Sequence, residues 1–154
     1  MSTGIYRSPS EQSGLRSESI AKTFLIEKGY ILCPAPRDCV FDFAVCKGFD
    51  LETGKWDFET VQVKTLTKNN SISKIVDRSG DIVSRNGKER NSLDYSEWGV
   101  DWLLGVGKDG QVHTYPLEVY ENIPTKSFSV RKYPSVEFPE CDRYVPSSNE
   151  KKKD

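Results

Sequence analysis

The segment FETVQVKTL, residues 58–66, constrains this chain more than any other. Its aromatic and β-branched residues favour extended backbone. The period of two then sends Thr60, Gln62 and Lys64 to one face and Glu59, Val61 and Val63 to the other. Residues 40–46 (VFDFAVC) read as a second strand with Asp42 in its interior, and residues 51–54 (LETG) supply turn chemistry between the two. A hairpin built this way brings Asp42 across the ladder from Gln62 and Lys64.

Around this hairpin the elements alternate in the manner of an α/β domain. Leu15, Ile20, Ala21, Phe24 and Leu25 recur at helical spacing, which predicts a first helix over residues 15–28 with Gly29 as its C-cap. Residues 1–14 read as a loose arm, and residues 30–32 as a short extended segment ended by Pro34 and Pro36. Residues 71–85 alternate weakly about Ser79-Gly80-Asp81 and predict a basic β-hairpin extension, with a further reversal at Asn86-Gly87. Residues 92–99 predict a short helix or turn. Residues 102–106 and 111–115 predict a hairpin about Asp109-Gly110, after which Pro116 opens a helix over residues 117–121. Beyond Ile123, prolines without periodicity predict a chain draped over the surface, ending in a disordered, lysine-rich tail at residues 147–154. At 154 residues, one domain with a single core is expected.

Composition narrows the function. A net charge of -1 gives no global attraction for nucleic acid, so a DNA role has to rest on a local patch. Residues 64–90 supply one, with Lys64, Lys68, Lys74, Arg78, Arg85, Lys88 and Arg90 against Asp77, Asp81 and Glu89. Mixed charges on a solvated hairpin would look the same. Residues 1–14 lack the apolar stretch of a secretory signal and no segment is apolar enough to span a bilayer, which predicts a cytoplasmic protein. Cys33, Cys39, Cys46 and Cys141 form no CxxC pair, and His113 is the only histidine, so a zinc cluster is not expected and the thiols read as buried or idle. His113 has no serine and aspartate partners in a recognisable motif, which leaves a hydrolase triad unsupported. Tyr95, Trp98 and Trp102 read as core or interface rather than base-stacking platforms, and Asp101 as the cap of the turn before its strand.

The chemistry rests on three residues. A carboxylate at Asp42 among apolar neighbours costs several kcal/mol unless a cation or a hydrogen-bond network meets it. An acid and an amide oxygen that hold Mg²⁺, beside a lysine that orients water or stabilises developing phosphorane charge, suit phosphodiester hydrolysis. A structural ion pair between Asp42 and Lys64, with Gln62 exposed, would also satisfy the spacing. Glu59 points away from Lys64, Glu52 falls in a turn, and Glu11 precedes Gly14 outside the expected helix, so none of these replaces Gln62 or Glu18.

The order of a helix with Glu18, Gly29-Tyr30, a proline-containing loop, an FD strand, a hairpin and VQVKT resembles the PD-(D/E)XK endonuclease superfamily, and within it the cyanobacterial group I intron homing endonucleases. GVDWLL at residues 99–104, before a hairpin and a proline-led helix, is similar to the segment following the catalytic strands there. The resemblance implies a restriction-endonuclease-like core, a central mixed β-sheet flanked by helices. It implies Asp42 as central metal ligand, Lys64 as catalytic lysine, and Glu18 as a water-mediated or outer metal ligand. Gln62 takes a metal-ligand position where the superfamily has Asp or Glu, removing one negative charge from the site, although the intron enzymes also look like QxK proteins. Mg²⁺, or Mn²⁺ in its place, is the implied cofactor. The implied function is sequence-specific double-strand DNA cleavage by a homodimer or homotetramer, with Lys68, Lys74, Arg78, Arg85, Lys88 and Arg90 on the DNA. A structure-specific nuclease of the Holliday-junction type and a catalytically silent DNA-binding module are the alternatives.

Overall fold

The computed structural model describes residues 8–36, 39–76 and 94–141. Its first helix, α1 (Pro9–Glu27), begins earlier than the apolar spacing predicts, inside the expected loose arm. The cause is local. Glu11 N–H donates to Ser8 Oγ at 3.2 Å and Ser8 N–H donates to Glu11 Oε1 at 3.0 Å, a capping box, while Pro9 takes the first helical turn, where its missing N–H costs nothing. Ser17, Ala21 and Leu25 form the buried stripe. Burying Leu25 alone is worth about 2 kcal/mol.

Five strands follow in one sheet: β1 (Ile31–Pro34), β2 (Phe43–Asp50), β3 (Lys55–Thr65), β5 (Trp102–Val106) and β6 (Val112–Pro116), ordered β1-β2-β3-β5-β6. Only β3 and β5 run parallel, with Val61 opposite Trp102 and Lys64 opposite Gly105. The expected β2–β3 hairpin forms, its turn closed by Gly54 N–H on Asp50 O at 2.8 Å. The parallel register is pinned by a reciprocal clamp. Thr60 N–H donates to Asp101 Oδ2 at 2.9 Å, and Asp101 N–H donates to Thr60 Oγ1 at 3.0 Å. Asp101 therefore joins two strands rather than capping the turn before its own.

One apolar cluster lies between α1 and the sheet, where Ala21 and Leu25 meet Phe43, Val45, Val61, Val63, Trp102, Leu104 and Val106. Among the described residues the other face is covered by short pieces: a 3₁₀ turn at Tyr95–Trp98, α2 (Leu117–Tyr120), and a ribbon of β4 (Ser71–Ser73) with β7 (Ser127–Ser129). Leu103, Tyr115 and Tyr120 pack there with Ile72 and Phe128 of the ribbon. Covered on both sides, β5 is buried throughout. Gly105 is what lets the ribbon lie so close, since a Cβ there would stand 2.5 Å from Ile72 Cδ1 and 2.7 Å from Leu66 Cδ2. Burial raises the Tyr115 hydroxyl to about 12 and raises Tyr120 further, so both stay protonated at neutral pH and donate to Tyr133 O and Val100 O.

Two expectations change here and one strand gains an unexpected partner. Ser71–Ser73 pairs with β7 from the far end of the chain, because Ile72 and Phe128 gain a shared core by meeting. The chain beyond Ile123 is not merely draped, since Phe128 and Phe138 are buried, Phe138 tilting against Trp102 at 4.2 Å between ring centroids. Asp42 lies just before β2, not within it. Residues 77–93 and 142–154, with the expected tail and the rest of the basic hairpin, lie outside the described residues.

Candidate active site

The ladder between β2 and β3 stops at Phe43, opposite Val61, while β3 runs on to Thr65. The edge so exposed is taken up by Asp42 and by α1. Asp42 N–H donates to Val61 O at 2.9 Å, and Val63 N–H donates to Asp42 Oδ2 at 2.8 Å, so the carboxylate continues the ladder in place of backbone. One residue pair further, the Ser17 and Thr65 hydroxyls bond at 2.7 Å and fasten the helix to the same edge.

The notch between them is a cleft of about 330 Å³ lined by Glu11, Gly14, Leu15, Glu18, Asp42, Gln62 and Val63. It brings together Asp42 and Gln62, two of the three residues that the strand spacing sets across the ladder, with Glu18, which the resemblance added. Glu18, one-third exposed on its side chain, pairs with Lys22 at 3.0 Å, one helical turn away. Gln62 reaches Val63 O weakly through Nε2 at 3.4 Å, and its Oε1 is buried with no hydrogen-bond partner. An unmet buried acceptor costs roughly 1–3 kcal/mol. The exposed Gln62 of the ion-pair reading is therefore not what forms.

Lys64 shares the Gln62 side of β3 but does not line the cleft. Its ammonium stands 5.0 Å from the centre of the Tyr95 ring, a cation–π contact on the opposite face of the sheet from α1. Glu11, set aside on sequence, does line the cleft, because the capping box carries the helix past Gly14 to include it. The Ser8-Pro9-x-Glu11 pattern is the signal that would have found it. Glu59 is occupied elsewhere, accepting from Trp102 Nε1 at 2.8 Å and pairing with Lys47 at 3.4 Å.

Among the described residues no three His, Cys, Asp or Glu side chains converge as a ready metal-ligand set. The side chains lining the cleft nevertheless suit one class of ion. Glu11, Glu18 and Asp42 are carboxylates and Gln62 is an amide, a set whose ligating atoms would be oxygens, which favours a hard cation such as Mg²⁺ or Mn²⁺ over zinc. The orphaned Gln62 Oε1 is a carbonyl oxygen that such a cation would satisfy.

Of the residues expected on DNA, Lys68 is exposed in the turn after β3. Lys74 is a correction. It is 4% exposed, salt-bridged to Asp94 at 3.2 Å and bonded to Tyr120 O and Ile123 O, so its charge is used inside the fold and is not offered to phosphate. Arg78, Arg85, Lys88 and Arg90 lie outside the described residues. Tyr95 and Trp102 are buried, as core residues should be, and His113 lies on β6. Of the four cysteines, only Cys46 is buried. Among the described residues no helix is long and apolar enough to cross a membrane.

No protein-family model matches the chain, and no curated protein matches it significantly. One solved structure, that of a bacterial homing endonuclease, I-Ssp6803I, is similar, with a TM-score of 0.55 and 14% identity over 90% of this chain and 85% of that one. At that identity the likeness is one of fold: the five-stranded mixed sheet with its helix is similar to the architecture of that protein.

Proposed function

We propose that the chain is a DNA endonuclease of the PD-(D/E)XK kind, dependent on Mg²⁺ or Mn²⁺, in which glutamine stands in one of the acidic positions. The observation that carries the reading is Gln62 Oε1, a buried acceptor without a partner, on a residue that lines the same cleft as Asp42 and Glu18. Folded proteins seldom leave such an atom unmet, and a bound ion is one way of meeting it. The fold shared with a bacterial homing endonuclease supports the class of substrate.

Asp42 and Gln62 would hold the cation directly, with Glu18 as a water-mediated or outer ligand. Bound there, the ion would polarise the phosphoryl oxygen and lower the pKa of an attacking water. Asp42 is fixed for this task by the Val63 N–H, which orients its carboxylate before anything binds. Lys64 lies on the same side of β3 as Gln62, and reaching from the Tyr95 ring to the cleft it would orient the water or stabilise the negative charge that builds on phosphorus. The Tyr95 ring steadies its ammonium without neutralising it, as an acid would. One site cuts one strand, so a double-strand cut calls for two copies of the chain related by a two-fold axis.

A silent DNA-binding module is the competing reading, favoured by the missing third carboxylate at position 62 and by the lack of a converged acidic set among the described residues. Plasmid cleavage separates the two. Supercoiled plasmids carrying intronless tRNA and rRNA loci should yield a discrete linear product with Mg²⁺ and none with EDTA, and Lys64→Ala should lower the rate by about a hundredfold. Salt-sensitive binding with no cleavage of any plasmid or four-way junction would leave the silent module.

A further inference from the structure

The β4–β7 ribbon has a feature that the cleft does not use. Ile72 and Phe128 point into the core, so the alternate residues Ser71, Ser73, Ser127 and Ser129 form its outer face. The turns at its ends carry Lys68, Lys126, Arg131 and Lys132, all exposed. Val130 N–H donates to Asn70 O at 2.9 Å, which sets the Lys68 turn beside the Arg131-Lys132 turn although some sixty residues of sequence separate them. No Asp or Glu occurs in residues 65–76 or 122–136, and no salt bridge among the described residues engages any of these four cations. A surface assembled from two distant segments, both free of acids, concentrates positive charge in a chain whose net charge is -1.

We propose that this outer face is a contact surface for duplex DNA, its cations on phosphates and its serines toward a groove. The inference rests on the nuclease reading and says where that nuclease grips its substrate. A two-stranded ribbon fits the major groove of B-form DNA. The hydroxyl oxygens of Ser73 and Ser129 already accept the Ile75 and Arg131 N–H groups at 3.2 and 3.1 Å, which leaves the O–H of each as a donor. Placement agrees with the chemistry. The ribbon follows directly on β3, and it packs on the same side of the sheet as the Tyr95 ring beneath the Lys64 ammonium. A duplex lying on it would therefore approach the Gln62 and Lys64 side of β3.

The test uses the full chain in EDTA with a fluorescein-labelled, mixed-sequence DNA duplex, measuring affinity between about 50 and 200 mM salt. The Lys68→Ala/Arg131→Ala double variant should bind at least tenfold more weakly at the low-salt end. Its plot of log affinity against log salt should be shallower by about 1.8, the release expected for two lost phosphate contacts. A Lys55→Ala/Lys108→Ala variant, with the same change in charge at exposed positions elsewhere, should match the wild type. Equal slopes for wild type and the Lys68→Ala/Arg131→Ala variant would overturn the proposal, and so would tighter binding of an RNA duplex, whose deep major groove excludes a ribbon. Plasmid cleavage keeps the two readings apart. A wild type that cuts while the double variant binds undiminished sinks the ribbon alone, whereas ribbon-dependent binding with no cutting sinks the nuclease and leaves the ribbon standing.

Discussion

Asn at position 42 is expected to leave the fold intact and to lower plasmid cleavage by at least about a hundredfold, the loss typical when one preorganised electrostatic group is removed from an active site. The Asp42 backbone bond to Val61 O is untouched by the change, and an asparagine side-chain oxygen can still accept the Val63 N–H. What disappears is the negative charge. Gln62 is neutral, so Asp42 and Glu18 are the charged members of the assigned ligand set, and Asp42→Asn halves its charge. Initial cleavage rates at saturating Mg²⁺, read beside the thermal midpoint, separate lost chemistry from lost structure. Asp42→Leu is the contrasting variant, since it strands the Val63 N–H and should lower the midpoint as well.

Lys74→Ala is expected to destabilise the protein by about 3–5 kcal/mol, the usual result of removing one partner from a buried ion pair. Its ammonium meets three acceptors: Asp94 at the start of the 3₁₀ turn, and the carbonyls of Tyr120 and Ile123 around the end of α2. Truncation leaves all three acceptors facing a void. A loss of that size is a large part of the stability of an ordinary domain, so urea melts should show it plainly. Variant that remains folded should bind a DNA duplex with an unchanged salt slope. A slope reduced by about one would instead assign Lys74 to a phosphate, as its sequence context suggests.

That lysine illustrates what the sequence conceals. A cation eight residues beyond Leu66 looks like the others near it, and only the fold supplies the acid and carbonyls that enclose it. The β2–β3 and β5–β6 hairpins were legible because alternation and turn residues are local signals that needed no partner to be read. Asp42 and Gln62 met for the same reason, through the geometry of one hairpin. The start of α1 was missed because the apolar stripe marks where a helix packs, not where it begins, and its first two turns are held by caps. Pairing of β4 with β7 was hidden by the separation of Ile72 from Phe128, each a single apolar residue in a polar run. The same separation hid the basic face that the two strands build together. Phe138 was hidden among prolines, where periodicity has nothing to act on, yet it closes the core against Tyr30 and Trp102.

The most direct test of the site is the paired measurement of plasmid cleavage and thermal stability for Gln62→Leu. Leucine keeps the bulk of the side chain and removes the buried oxygen that has no partner. If Gln62 is kept for a cation, cleavage should fall by at least about a hundredfold while stability holds or rises, because an unmet acceptor has been deleted from the fold. Undiminished cleavage by Gln62→Leu would contradict the account, since the cleft would then cut DNA without the atom on which the assignment rests.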